Sequence, residues 1–190
     1  HCGGKHRMAK IAKALKMLNI DTKLIPDIDV LNDENVYRSI VEAFGIEWAS
    51  IEGHYKTIVG NLHSVKENIK RSEATAVIEQ VLSSSKNATL SKKEIETIKE
   101  ALKTVSKWAT LKEFGTNAIP RGDATVAFDS MNTILKEHGI YIVPVGELEC
   151  FIKEVGGHGP DWVNTVLEKY PNLDDPVYKE ISKFVQSINL

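Results

Sequence analysis

Cysteine is scarce in this chain: two among 190 residues, Cys2 and Cys150. A pair that far apart makes neither a disulfide framework nor a metal-ligand spacing, so a reduced, cytoplasmic setting is expected. Long apolar runs are missing as well. None approaches the roughly 18–20 residues of a membrane span, and no signal peptide is visible, so no membrane association is expected. There is little net charge, only −2, and nothing repeats internally. The charge is unevenly spread, however. Residues 1–23 and 63–112 carry an excess of Lys and Arg, whereas 24–60 and 113–190 carry an excess of Asp and Glu. Patches of both signs are therefore expected, and the overall balance does not identify a partner. The chain opens on His1 rather than Met and drops almost at once into a helix pattern, as a C-terminal piece of something longer would.

An apolar content of 42% is enough for one globular domain with a sizeable core. Met8, Ile11, Ala12, Leu15 and Leu18 recur at helical spacing. "TKLIPDID" reads as a short strand, in which Pro26 removes one ladder donor and favours an edge or a bulge. "DENVYRSIVEAFG" follows as a helix, capped by Asp33 and stopped by Gly45. Gly-rich turn, helix, strand, acidic turn, helix is the rhythm of a parallel α/β sheet. It breaks between Ile46 and Phe114, where no convincing strand occurs. Val65, Ile69, Ala76, Val77 and Val81 mark one helix. "SKKE" at Ser91–Glu94 is a capping box, with Ile95, Ile98, Leu102, Val105 and Ala109 behind it. The expected organisation is an α/β domain over 1–45 and 115–190, with a Lys-rich helical hairpin over 46–114 inserted into it. The α/β rhythm returns with a helix through Ala127, Met131, Ile134 and Leu135. A second strand, Ile140 to Val145, runs into "GELE". A Gly-rich turn then opens a helix at Pro160, with Trp162 on its apolar side, and Asp175–Pro176 starts the last helix.

Both expected strands end on acid: Asp27 and Asp29 after one, Glu147 and Glu149 after the other. Parallel strands deliver their carboxyl ends to one edge, and residues i and i+2 of a strand face one side, so these four carboxylates are expected to converge. Such a group repels itself unless a cation lies within it. Mg²⁺ or Mn²⁺ suits hard oxygen ligands, and a two-metal site suits phosphodiester hydrolysis. Helix capping and turn formation are the ordinary alternative for Asp at these positions.

The order of these motifs resembles the Toprim domain, the catalytic fold of topoisomerases, primases and certain nucleases. More narrowly, "DIDVLNDEN", "GIYIVPVGELECF" and "GGHGPDWVNTVLE" resemble the C-terminal Toprim domain of overcoming-lysogenization-defect (OLD) family nucleases. There an ABC-type ATPase precedes the nuclease, and many members act in anti-phage defence, some alongside retrons. The resemblance implies a Toprim-like parallel sheet flanked by helices, with its N-terminal strand missing here, and a metal-dependent DNA endonuclease activity. It implies metal ligation by Asp27, Asp29 and Glu149 with Glu147 beside it, and a phosphate contact by Lys5. It also implies DNA, an ATPase of the same protein, further copies of the chain and a retron reverse transcriptase as partners. The family's first turn often reads E-G-K-x-D, but Gly3 and Arg7 stand here in place of the two acids, so either a neighbouring group such as His6 or an acid elsewhere takes the glutamate's place, or the site binds metal weakly or is catalytically impaired. His6, Arg121 and His158 are weaker candidates for contact with nucleic acid.

Two other readings stay open. "DIDVL" also resembles the D-x-D motif of haloacid-dehalogenase-like phosphatases, with "GDATVAFD" as a later acidic motif. Asp123 and Asp129, however, fall in a helix pattern rather than at a strand end. Alternatively, without the Gly3 acid, the domain is a degenerate Toprim module that binds DNA or a partner through its basic segments.

Overall fold

The structure, a computed structural model, describes residues 4–64, 71–84, 87–101 and 107–188. Helix α1, Lys5–Met17, enters from Gly4 at φ 105° and turns Met8 and Ala12 inward. An extended passage leads from it into a tight 3-10 turn, Ile28–Asn32. Helix α2, Glu34–Ala43, starts where the Asp33 carboxylate accepts the Val36 N–H at 3.1 Å, and it stops before Gly45 at φ 84°. Helix α3 spans Trp48–Ser64, α4 Arg71–Ser84, α5 Lys92–Ala101 and α6 Lys107–Phe114. Helix α7, Asp123–Glu137, is followed by a second extended passage and a 3-10 turn, Leu148–Ile152. Helix α8 spans Gly159–Lys169 and α9 Lys179–Gln186.

The expected parallel sheet does not form. Among the described residues, β pairing is confined to one parallel bridge, Leu24 with Ile140. The physical reason lies in Pro26. The two extended passages do run side by side: the Leu24 N–H donates to the Gly139 carbonyl (2.9 Å) and the Tyr141 N–H to the Leu24 carbonyl (2.8 Å). At the next rung the Val143 N–H reaches the Pro26 carbonyl at 3.0 Å. Proline has no N–H to send back, so the rung is half made. The first chain then coils into its 3-10 turn, and the Ile28 N–H instead finds the Gly146 carbonyl at 3.0 Å. With no third strand among the described residues to extend the pairing, the expected α/β Toprim-like sheet gives way to a helical assembly around one parallel bridge.

Burial explains why the helices gather there. The main core unites Leu24, Ile28 and Leu31 with Tyr37 and Ile40 of α2, Met131 and Leu135 of α7, and Ile140 and Ile142. Helix α3 threads this core, placing Ile51, Tyr55, Ile58 and Leu62 in it and lying along α7, while α6 contributes Leu111. Each such side chain stabilises the fold by about 1.5–3 kcal/mol relative to exposure. Helices α4 and α5 pack on each other. The Ser91–Glu94 capping box is reciprocal, with 2.6 and 3.3 Å bonds. Val65, Ile69, Leu102 and Val105, expected to line this hairpin, lie outside the described residues. A smaller cluster of Ile152, Val155, Trp162 and Val166 anchors α8.

Tyr55 ties the core to the acidic segment. Its ring stacks on Tyr37 with centroids 5.4 Å apart, and its hydroxyl donates to the Leu31 carbonyl at 3.0 Å, inside the 3-10 turn that carries Asp29. Tyr55→Phe keeps the stack and strands that carbonyl, so a loss of about 1 kcal/mol in urea unfolding is expected, with the stacked ring otherwise undisturbed. An unchanged midpoint would show that the hydroxyl bond does not hold the turn.

Candidate acidic site

Sequence alone dictates that Asp27 and Asp29 follow one extended passage and Glu147 and Glu149 the other. The single bridge is enough to set the two passages parallel, so both pairs emerge at the same end. Asp27 stands just before the Ile28–Asn32 turn and Asp29 lies in its first turn. Glu147 and Glu149 sit in the same relation to the Leu148–Ile152 turn. The other three carboxylates act on Asp27. Burial, then the charges of Asp29, Glu147 and Glu149, push the Asp27 carboxyl up to about 6, against a smaller opposing effect of the Leu148 backbone hydrogen bond. That hydrogen bond joins Asp27 directly to the turn holding both glutamates.

Cations border the group. Lys5, the first residue of α1, sends its Nζ to the Asp29 carbonyl at 3.2 Å and lies 3.5 Å from Asp29 Oδ2. Lys112, near the end of α6, places Nζ 2.5 Å from Glu147 Oε1. The hydrogen bond to Glu147 raises the Lys112 pKa, and the charges of Asp29 and Asp27 add to the effect. Glu149 accepts the Gly159 N–H at the start of α8 at 2.8 Å, with His158 Nδ1 3.7 Å from the same oxygen. Burial opposes ionisation of Glu149, but this amide, its own backbone amide and His158 together hold its carboxyl below the usual range.

The structure therefore brings Lys5, Asp27, Asp29, Glu147, Glu149 and His158 into one neighbourhood. His6 is exposed on α1 beside Lys5, and Arg121 is exposed in the turn before α7. Among the described residues, neither is bonded to the acidic group. Gly3 lies outside the described residues, and Arg7 is exposed. Asp123 and Asp129 are exposed on α7 and are not among the charges acting on Asp27, which weighs against the phosphatase alternative. Lys112 is the member that sequence reading missed. It sits in a Lys-rich helical stretch where no local pattern separates it from solvated neighbours.

Hard carboxylate oxygens from two segments suit Mg²⁺ or Mn²⁺ chemically. Yet among the described residues no three acidic, histidine or cysteine side chains stand together as a ready metal cage. Asp29, Glu147 and Glu149 are each turned onto an internal donor instead.

The raised Asp27 carboxyl has a stability consequence. Its pKa is 3.8 in its ordinary setting and about 6 here, so through that interval the folded chain keeps a proton that the unfolded chain has lost. Stability is thus favoured below pH 3.8, declines as pH rises through about 6, and bears the full penalty above it. Asp27→Asn removes the penalty. A gain of about 1 kcal/mol at neutral pH is expected after allowing for solvent screening of a partly exposed group, with a flatter profile across the interval. Denaturant titrations of both proteins at the two ends of that interval check it; a loss of stability at neutral pH would contradict it.

Among the described residues no helix is long and apolar enough to cross a membrane. Comparison with known proteins finds no family model that matches the chain, no similar curated protein and no similar solved structure.

Proposed function

We propose that this chain is a divalent-metal-dependent phosphodiesterase that cleaves DNA, acting in the cytoplasm as the nuclease part of an OLD-like ATPase-nuclease in anti-phage defence. The observation that supports the chemistry is that Asp29, Glu147 and Glu149, at the ends of two parallel passages, all act on the Asp27 carboxyl. The motif resemblance supplies the substrate class and the ATPase and retron reverse transcriptase as partners. Asp27, Asp29 and Glu149, with Glu147, would hold Mg²⁺ or Mn²⁺, as one ion or a pair. Such a metal would supply Lewis-acid chemistry for phosphodiester hydrolysis. Lys5, anchored through a backbone carbonyl rather than by charge alone, steadies the phosphate. His158 in its exposed Gly-rich turn, Arg121 and His6 approach the nucleic-acid backbone.

Supercoiled plasmid incubated with the protein and Mg²⁺ or Mn²⁺ tests this: nicking or linearisation that EDTA abolishes is the expected result. The lack of a ready three-ligand cage favours a second reading, a DNA- or partner-binding module in which lysines permanently neutralise the acids. Salt-sensitive DNA binding without cleavage, under either metal, would select it.

A further inference from the structure

We infer that the outward side of α1 grips the sugar–phosphate backbone of DNA through Arg7, Lys10 and Lys13. This rests on the reading above only for its partner, DNA; it needs no metal and no cleavage.

Helix α1 carries five cationic side chains, Lys5, Arg7, Lys10, Lys13 and Lys16, and no acid. Two of the five are engaged within the molecule. Lys5 bonds the Asp29 carbonyl at 3.2 Å, at the start of the helix. Lys16 sets its ammonium 4.4 Å from the centre of the Phe44 ring, near the end. These two fasten both ends of α1 to the body, and Met8 and Ala12 hold its inner side against the core. Arg7, Lys10 and Lys13 are exposed and, among the described residues, form no ion pair. They recur every third residue, so they make a slanting stripe about 9 Å long with neighbouring side chains about 5–6 Å apart. A DNA strand advances about 3.4 Å per phosphate, so the stripe reaches about three phosphates.

Helix stability does not explain these charges. The amino end of a helix bears a positive partial charge, and Lys5 and Arg7 add like charge to it, with no acid in the first turn and no side-chain cap. Elsewhere the chain does the opposite: Asp33 caps α2, and Ser91 with Glu94 caps α5. A polyanion lying on α1 turns the same arrangement into attraction. A lipid surface fits less well. An interfacial helix sinks its apolar side into the membrane, whereas that side of α1 is packed on the core. Exposed Met17 and Leu18 lie beyond the stripe, at the carboxyl end of the helix.

Anisotropy of a labelled DNA duplex, titrated with the full chain in EDTA across a salt series, tests the inference. Each phosphate neutralised contributes about 0.9 to the slope of log affinity against log salt. The triple variant Arg7→Gln, Lys10→Gln, Lys13→Gln should flatten the wild-type slope by about 2.7 and bind roughly a hundredfold more weakly at low salt. Lys92→Gln with Lys93→Gln, exposed on α5 beside Glu94 and Glu96, should leave the slope unchanged. Wild-type binding whose slope the triple variant leaves alone, or which the α5 pair flattens as much, overturns the role of α1 and keeps DNA as the partner. No binding by the wild type overturns DNA as the partner, and this inference with it. Capture by phosphatidylserine vesicles that the triple variant loses, without DNA binding, assigns the stripe to a membrane and overturns the inference. Should the triple variant not fold, Lys10→Gln alone decides: a slope flatter by about 0.9 is expected, and no change overturns the inference.

Discussion

Asp27→Ala should lower metal-dependent DNA cleavage about a thousandfold, while leaving the metal-free fold at least as stable as wild type at neutral pH. A bound metal contributes several kcal/mol to the transition state, and each 1.4 kcal/mol is a factor of ten, so loss of a central ligand reaches about that size. Asp27 is central because it is the carboxyl on which Asp29, Glu147 and Glu149 all act. Stability moves the other way because the carboxylate is crowded by three others and, among the described residues, no cationic side chain pairs with it. A residue that strains the fold and serves the chemistry gives this opposed pair of effects. Plasmid nicking rates and thermal melts on the same preparations test both halves. Full-rate cleavage by Asp27→Ala removes Asp27 from the site; lost cleavage together with lost stability reduces it to a structural residue.

Gly146→Ala is expected to destabilise the protein by about 3 kcal/mol or more, a large share of the 5–15 kcal/mol typical of a domain. The backbone at Gly146 has φ 107°, where a side chain is strained, and its Cβ would overlap the Lys112 carbonyl and stand 2.8 Å from that of Leu111. The opposing glycine repeats the condition. A Cβ on Gly115, at φ 60°, would overlap the Pro144 carbonyl and lie 2.6 Å from the Gly146 nitrogen. Two backbones meet here with no room for a side chain on either, and relief comes only by lifting α6 off the acidic turn. That movement would also take Lys112 away from Glu147. Gly53→Ala is the control: it lies within α3 with nothing near its Cβ, and a gain of about 0.5–1 kcal/mol is expected. Urea midpoints of the two variants should shift in opposite directions. Equal, small shifts would mean that α6 is not seated as described.

Much of the local structure was legible because it depends on near neighbours. The Asp33 cap, the Gly45 stop, the Ser91–Glu94 box and the stripe of α7 all follow from residues within one or two turns. The side-by-side course of the two acidic passages was also legible, from their matching apolar runs and acidic ends. The sheet was over-read. Pro26 signalled a missing donor, but not that the pairing among the described residues would shrink to one bridge. Helix α3 was under-read. Trp48, Ile51, Tyr55, Ile58 and Leu62 do keep helical spacing, yet a helix meeting the core on several sides shows weak contrast between its faces. Lys112 and the Gly115–Gly146 apposition were beyond reach, because their partners lie some thirty residues away and only the tertiary fold joins them.

Anomalous diffraction from crystals soaked in Mn²⁺ tests most directly whether the four acids gather around a cation. A Mn²⁺ peak bonded to Asp27 and to Asp29 or Glu149 is the result expected. No peak among these carboxylates at saturating Mn²⁺ would contradict it.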